Sequence, residues 1–246
     1  MTRKLNIRQL YHVGHCGSTL MSTLMASSAF VYCEPPWSYA LDQEEISNQL
    51  SQEKEKIVVK FQSSLCHIAK NFSDKKVFLH RKLRHHLFKI KTSQYIYDIA
   101  VNKFKYHQDN CHSSLKDFKF ESDLEKVLFT WANNIQWMRE STDVLWIESN
   151  DFFKNKKEVM NKVCDYLELE PVKNFEISNF YVKSFGLNGN EGPINNLEVP
   201  NLGDTKSLYP SYGIVEDDLS KQCDDINQLI EWSLKNLTFI SKDLLE

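Results

Sequence analysis

The chain has 246 residues, of which 41% are hydrophobic and 26% charged, a composition typical of one globular domain. Thirty lysines and arginines stand against 33 aspartates and glutamates, so the formal net charge is −3. This balance argues against the basic surface of a nucleic-acid-binding protein, and we predict no nucleic-acid partner. No apolar run is long enough to span a membrane, and the first residues do not resemble a signal peptide.

Short apolar runs alternate with helical patterns along the chain. We predict strands at residues 7–13, 29–33, 56–61, 75–80 and 143–147. The intervening helical patterns cover residues 20–28, 42–54, 64–72, 122–140 and 156–167, and one or two helices close the chain at 215–237. Ser18 or Thr19 is predicted near the N-cap of the first helix. This alternation predicts an α/β fold with a mostly parallel central sheet flanked by helices.

We expect residues 1–246 to form a single domain. Residues 185–212 are rich in glycine, asparagine and proline, a composition typical of a long ordered loop. We therefore interpret the C-terminal region 185–246 as a candidate lid.

The six cysteines are scattered through the chain, and no two form a Cys-x-x-Cys pair. Scattered thiols are typical of proteins from a reducing compartment, so we expect free cysteines and a cytoplasmic location. His12, His15, Cys16 and Cys33 lack the spacing of a structural zinc site, and we predict no metal.

The segment that begins at Gly14 joins the first predicted strand to the first predicted helix. It reads Gly-His-Cys-Gly-Ser-Thr-Leu over residues 14–20, and the other five of the seven glycines lie at 186–213. Glycine permits positive φ and close approach of the backbone to a ligand. The N–H groups at the start of a helix bind anions. The sequence therefore predicts a phosphate- or sulfate-binding loop.

This loop is not a Walker A motif, which requires Gly-x4-Gly-Lys-Ser/Thr. Ser18 directly follows Gly17, and the lysine that would reach the β- and γ-phosphates is missing. ATP chemistry is therefore disfavoured, although a P-loop kinase of a small molecule stays as an alternative.

Ligands of parallel α/β folds bind at the carboxyl ends of the strands. The residues that follow the other predicted strands, or end them, are Glu34, Lys60, Arg81 and Glu148. We expect these side chains to lie near the loop, with Glu148 in a structural role.

The chain resembles the sulfotransferase family in the order of its motifs. The glycine loop comes first, followed by a strand that leads to Glu34 and a strand that ends near Lys60. A segment that leads to Arg81 comes next, and then a strand with Glu148 before a helix. The resemblance covers roughly residues 9–170. Family members use 3′-phosphoadenosine 5′-phosphosulfate (PAPS) as sulfuryl donor. The resemblance implies a three-layer P-loop-like fold, PAPS as donor, no metal, and a hydroxyl of a small molecule or glycan as acceptor.

The resemblance also implies residue roles. Glu34 would be the catalytic base, and Lys60 and His15 would stabilise the leaving group. The donor-binding residues would be Gly14, His15, Cys16, Gly17, Ser18, Thr19, Leu20, Arg81 and Lys89.

Two positions depart from the family pattern. His15 stands where the family has arginine or lysine, and Lys89 stands where it has serine. A loop histidine leads us to expect a pH dependence near the ordinary histidine pKa, about 6.5. The departures also leave a second alternative, a sulfotransferase-fold protein that binds nucleotide without catalysis.

Overall fold

The computed structural model describes residues 7–26, 28–34, 56–71, 74–92, 94–173, 175, 215 and 217–246. Within these ranges the centre of the molecule is a sheet of five parallel strands, in the order β2-β3-β1-β4-β5. The strands are β1 (Ile7–His12), β2 (Phe30–Cys33), β3 (Ile57–Lys60), β4 (Lys76–His80) and β5 (Val144–Glu148). The parallel sheet and its flanking helices confirm the predicted α/β class.

The strand order sets the position of the site. The chain leaves β1 to form β2 and β3 on one side, then crosses to form β4 and β5 on the other. Ligands of such sheets bind at the carboxyl ends, where the direction of winding reverses. The loop after β1 lies at this point. On one side of it, Cys33 of β2 pairs with Lys60 of β3, and on the other, His12 of β1 pairs with Leu79 of β4.

Ten α-helices are described, together with 3₁₀ helices at Ser63–Asn71 and Ser113–Leu115. The α-helices are α1 (Ser18–Met25), α2 (Leu83–Lys91), α3 (Gln94–Asn102), α4 (Phe104–Asp109), α5 (Asp123–Arg139), α6 (Ser149–Lys154), α7 (Lys156–Leu167), α8 (Asp217–Ser220), α9 (Asp224–Asn236) and α10 (Lys242–Leu245). The predictions at 122–140 and 156–167 are confirmed as α5 and α7. The segment predicted as a helix at 64–72 is a 3₁₀ helix. The predicted helix at 42–54 and the predicted loop at 185–212 lie outside the described residues.

Helix α5 shows how local sequence and packing act together. Ser122 and Glu125 form a capping box at its start, which satisfies N–H groups that would otherwise lack partners. Leu128, Trp131 and Ile135 on its inner face are buried. Because α5 packs on the core next to the end of β4, it can hold the backbone at the edge of the site.

Helix α1 starts at Ser18, two residues before the predicted start at residue 20. Gly17 is the N-cap, with a left-handed φ of 93°, and the helix has no side-chain cap hydrogen bond. Ser18 and Thr19 are the first two helical residues, next to the N-cap as predicted, although neither side chain caps the helix. The left-handed glycine lets the helix begin two residues earlier than its apolar pattern indicated.

All six cysteines are free thiols. Among the described residues, no helix combines the length and the apolar character that crossing a membrane requires.

Candidate active site at the strand–helix junction

The loop after β1 has an unusual backbone. Gly14, His15 and Gly17 have positive φ values of 91°, 48° and 93°. Gly14 N–H donates to His12 Nδ1 at 3.0 Å. A Cβ atom at position 17 would lie 2.7 Å from Phe153 Cζ, closer than real Cβ contacts. Position 17 therefore requires glycine for both its φ and its space.

The side chains of the second half of the loop are buried in the protein. Cys16 Sγ donates to the Leu79 carbonyl at 3.3 Å, and burial raises the pKa of this thiol to about 11. Ser18, Thr19 and Leu20 are each less than a tenth exposed. A ligand at this loop would therefore meet mainly backbone groups and the N-terminus of α1.

His15 is the loop residue whose charge matters most for the predicted function. Burial, aided by the charges of Lys103 and His12, lowers its pKa to about 3. His15 is thus neutral at pH 7 and does not titrate near the ordinary histidine pKa, so the expected pH dependence from this residue is wrong. The loop itself carries no permanent side-chain cation.

Glu34 and Lys60 meet beside the loop. Glu34 has a left-handed φ of 52°, a conformation that costs a non-glycine residue about 1–2 kcal/mol. Its N–H donates to the Lys60 carbonyl at 2.7 Å, and its carboxylate accepts a hydrogen bond from Lys60 Nζ. Lys60 is only 1% exposed. The strained backbone therefore directs the carboxylate back onto the end of β3.

The charges in this group influence one another. His12 Nε2 lies 3.5 Å from the same Glu34 oxygen that Lys60 contacts. Burial would raise the pKa of Glu34, but Lys60 and His12 outweigh burial and hold it well below its ordinary value. Burial and the Lys60 charge lower the pKa of His12 to about 4, against the effect of Glu34. At neutral pH Glu34 is ionised and His12 is neutral.

Arg81 follows β4 on the other side of the loop and is fully buried. Its Nη2 donates to Ser149 Oγ at 2.9 Å, and that hydroxyl donates to the Cys16 carbonyl at 2.7 Å. Trp131 Nε1 on α5 donates to the Arg81 carbonyl at 2.8 Å. Ser149 therefore connects Arg81 directly to the loop.

Two further predicted residues lie on the Arg81 side. Lys89 on α2 is half-buried, and burial together with the Arg81 charge lowers its pKa, so the two cations interact. Glu148 Oε2 accepts from the Asp151 N–H at 3.1 Å and caps α6, which confirms its expected structural role. The structure thus places Glu34 and Lys60 on one side of the loop and Arg81 and Lys89 on the other, with His15 in the loop between them.

Sequence reasoning missed Lys103 and Ser63. Lys103 Nζ donates to Ser63 Oγ at 3.3 Å, and Ser63 packs against Gly14. The segment 98–118, which contains Lys103, had no clear periodicity, so the sequence offered no signal that it reaches the loop. Ser149 was also missed, although its position directly after β5 could have marked it under the strand-end rule.

No protein-family profile and no curated protein matches the sequence. Among solved structures, the sulfotransferase domain from the curacin biosynthetic pathway is similar, with a TM-score of 0.50 and 14% identity over 89% of this chain and 90% of that domain.

Two other solved structures match over less of this chain. A sulfotransferase from Alicyclobacillus acidocaldarius matches with a TM-score of 0.45 and 12% identity, over 72% of this chain and 87% of its own. The mouse sulfotransferase SULT7A1, solved with PAP (3′-phosphoadenosine 5′-phosphate), matches with a TM-score of 0.40 and 14% identity, over 67% of this chain and 60% of its own. With its central parallel sheet and near-complete overlap with the curacin domain, the chain has the sulfotransferase fold in a form that is divergent in sequence.

Proposed function

We propose that this protein transfers a sulfuryl group from PAPS to a hydroxyl of a small molecule or glycan. The observation that carries the proposal is the contact between Glu34 and Lys60 at the carboxyl ends of β2 and β3, beside the glycine loop. A base and a cation in contact at this edge are what transfer of a charged group to a hydroxyl requires. The sulfotransferase fold supports the choice of group.

The loop fits an anionic donor. Its left-handed residues and the N-terminus of α1, which lacks a side-chain cap, offer backbone N–H groups to a negative charge. In this proposal the backbone of residues 16–19 binds the 5′-phosphosulfate, and Arg81 with Lys89 binds the 3′-phosphate. The Ser149 link between Arg81 and the loop would keep the two anion sites at a fixed separation.

The reaction can be written with the residues of this chain. Glu34 accepts the proton of the acceptor hydroxyl, whose oxygen forms a new bond to sulfur. The bond between sulfur and the bridging oxygen breaks, and its electron pair stays on the 5′-phosphate of the product, PAP. Lys60 stabilises the charge that grows on this oxygen. This route uses no metal.

Lys60 links the catalytic base to the leaving group, because its ammonium interacts with both. While it pairs with Glu34, the low pKa of the carboxylate makes Glu34 a weak base. A bound anionic donor would compete with Glu34 for the Lys60 ammonium, because both are negatively charged and attract it. Donor binding would then raise the pKa of Glu34, so the base gains strength when the sulfuryl group is in place.

A nucleotide-binding protein without catalysis is the second candidate. The observation that favours it is the neutral His15 at the loop position where a permanent cation is expected. The two candidates share donor binding and differ in turnover.

The test measures binding and transfer separately. PAP binding is followed by calorimetry, and transfer from radiolabelled PAPS is followed over phenols, sterols and sugars. We expect transfer by the wild type, and a loss of at least about 100-fold in kcat for Glu34→Gln. The Kd for PAP should not rise in this variant, because Lys60 no longer pairs with a carboxylate. Exposed Glu158→Gln is the matched control and should behave as wild type.

The outcomes separate the candidates. PAP binding with no transfer to any acceptor supports the nucleotide-binding protein. No PAP binding at millimolar concentration contradicts both.

A further inference from the structure

Lys103 approaches the glycine loop from a different part of the chain. It lies between α3 and α4, and its Nζ donates to Ser63 Oγ at 3.3 Å. The same hydroxyl lies 3.6 Å from where a Cβ of Gly14 would stand. One serine hydroxyl therefore separates the Lys103 ammonium from the loop backbone.

Among the described residues, positive charges outnumber negative ones at this point. Lys60 and Lys103 are cations, whereas Glu34 is already engaged by Lys60 and both His12 and His15 are neutral at pH 7. In the ranges that the structure describes, no carboxylate oxygen lies within 4.0 Å of Lys103 Nζ. A half-buried cation that no described carboxylate contacts is unfavourable, and an anionic ligand would offset that cost.

We propose that Lys103 supplies, from outside the loop, the permanent positive charge that His15 does not, and that it binds the phosphosulfate end of the donor. The inference rests on the proposed function and extends it to a residue that the loop sequence does not contain. Lys103 and Lys60 would then act on the same leaving group: as the bond from sulfur to the bridging oxygen breaks, both ammonium groups stabilise the electron pair left on the phosphate.

The neutral state of His15 agrees with Lys103 as the source of the positive charge at the loop. After burial, the Lys103 charge is the largest cause of the lowered His15 pKa. A second cation at position 15 would be repelled by the Lys103 charge, so a positive charge at Lys103 favours a neutral residue at position 15. Burial in turn lowers the pKa of Lys103, against the effect of Glu34, and a bound anion would restore it.

The test uses three variants of the full chain. Lys103→Met removes the charge and keeps most of the side-chain length, Lys103→Arg keeps the charge, and Lys105→Met removes an exposed lysine two residues away. We measure the Kd for PAP by calorimetry and kcat/KM for PAPS with one acceptor, and we check folding by circular dichroism and thermal midpoint. Lys103→Met should weaken PAP binding about tenfold and lower kcat/KM by about 10- to 100-fold. A loss of this size is what the removal of one charged hydrogen bond produces. For Lys103→Arg, the Kd and kcat/KM should stay within about threefold of the wild-type values, and Lys105→Met should behave as the wild type.

The results distinguish this inference from the proposed function. If the wild type binds and turns over but Lys103→Met matches Lys105→Met, the inference is wrong and the proposed function stands. Equal losses in folded Lys103→Met and Lys103→Arg also contradict it, because charge is then not the property that matters. If the wild type neither binds PAP nor transfers, the proposed function itself is wrong.

Discussion

Replacement of Gly17 by alanine tests whether the loop geometry depends on glycine. Gly17 has a φ of 93°, and a new Cβ would lie 2.7 Å from Phe153 Cζ and 3.0 Å from Phe153 Cε2. Phe153 is half-buried on α6 and packs against Phe152. The substitution therefore introduces backbone strain and a steric clash together.

Backbone strain and steric overlap each have a typical free-energy cost. A non-glycine residue in the left-handed region costs about 1–2 kcal/mol. Overpacking typically costs about 1–3 kcal/mol, at the lower end when the neighbour can rotate away. We expect Gly17→Ala to lower the free energy of unfolding by about 2–4 kcal/mol, and to weaken PAP binding at least tenfold because the N–H groups at the start of α1 shift.

Urea unfolding of a double-mutant cycle separates the two effects. Phe153→Leu removes the ring atoms that the new Cβ would meet, while the strain at position 17 stays. The coupling energy between Gly17→Ala and Phe153→Leu should then be about 1–2 kcal/mol, with Gly17→Ala less costly in the Phe153→Leu background. A cost for Gly17→Ala below about 0.5 kcal/mol, or no coupling, would refute this description of the loop.

Two further predictions concern the Arg81 link and the buried histidines. Ser149→Ala removes the bridge between Arg81 and the loop, and should weaken PAP binding about tenfold and cost about 1–3 kcal/mol on urea unfolding; unchanged PAP affinity would contradict the link. His12, His15 and His107 have pKa values lowered by burial to about 4, 3 and 3, so the unfolded chain binds their protons first as the pH falls below about 6.5. The free energy of unfolding should fall between pH 7 and pH 5, by up to about 1.4 kcal/mol per pH unit for each histidine, and a flat profile in urea titrations would contradict these values.

The fold was largely predictable because its elements have strong local patterns. The runs that became β1, β3 and β4 are short, apolar and regularly separated by helical patterns, which is typical of a parallel sheet. The strand-end rule then indicated Glu34, Lys60 and Arg81 without any knowledge of the strand order. Pairing of Cys33 with Lys60 explains why two of them meet, since Glu34 directly follows Cys33.

Properties that depend on tertiary packing were not predictable. The sequence shows a histidine in the loop, but only the tertiary packing shows that burial and the Lys103 charge lower the pKa of His15 to about 3. Lys103 itself lies 40 residues along the chain from Ser63, and no local pattern indicates their contact. The helix starts two residues before its apolar pattern because Gly17 adopts a left-handed φ of 93°, and the apolar pattern does not report that backbone conformation.

A crystal structure of the chain with bound PAP would show whether the strand–helix junction is a donor site. We expect the 5′-phosphate on the backbone of residues 16–19, within reach of Lys103, and the 3′-phosphate at Arg81 and Lys89. A nucleotide bound elsewhere, or no binding at millimolar PAP, would contradict the proposed function.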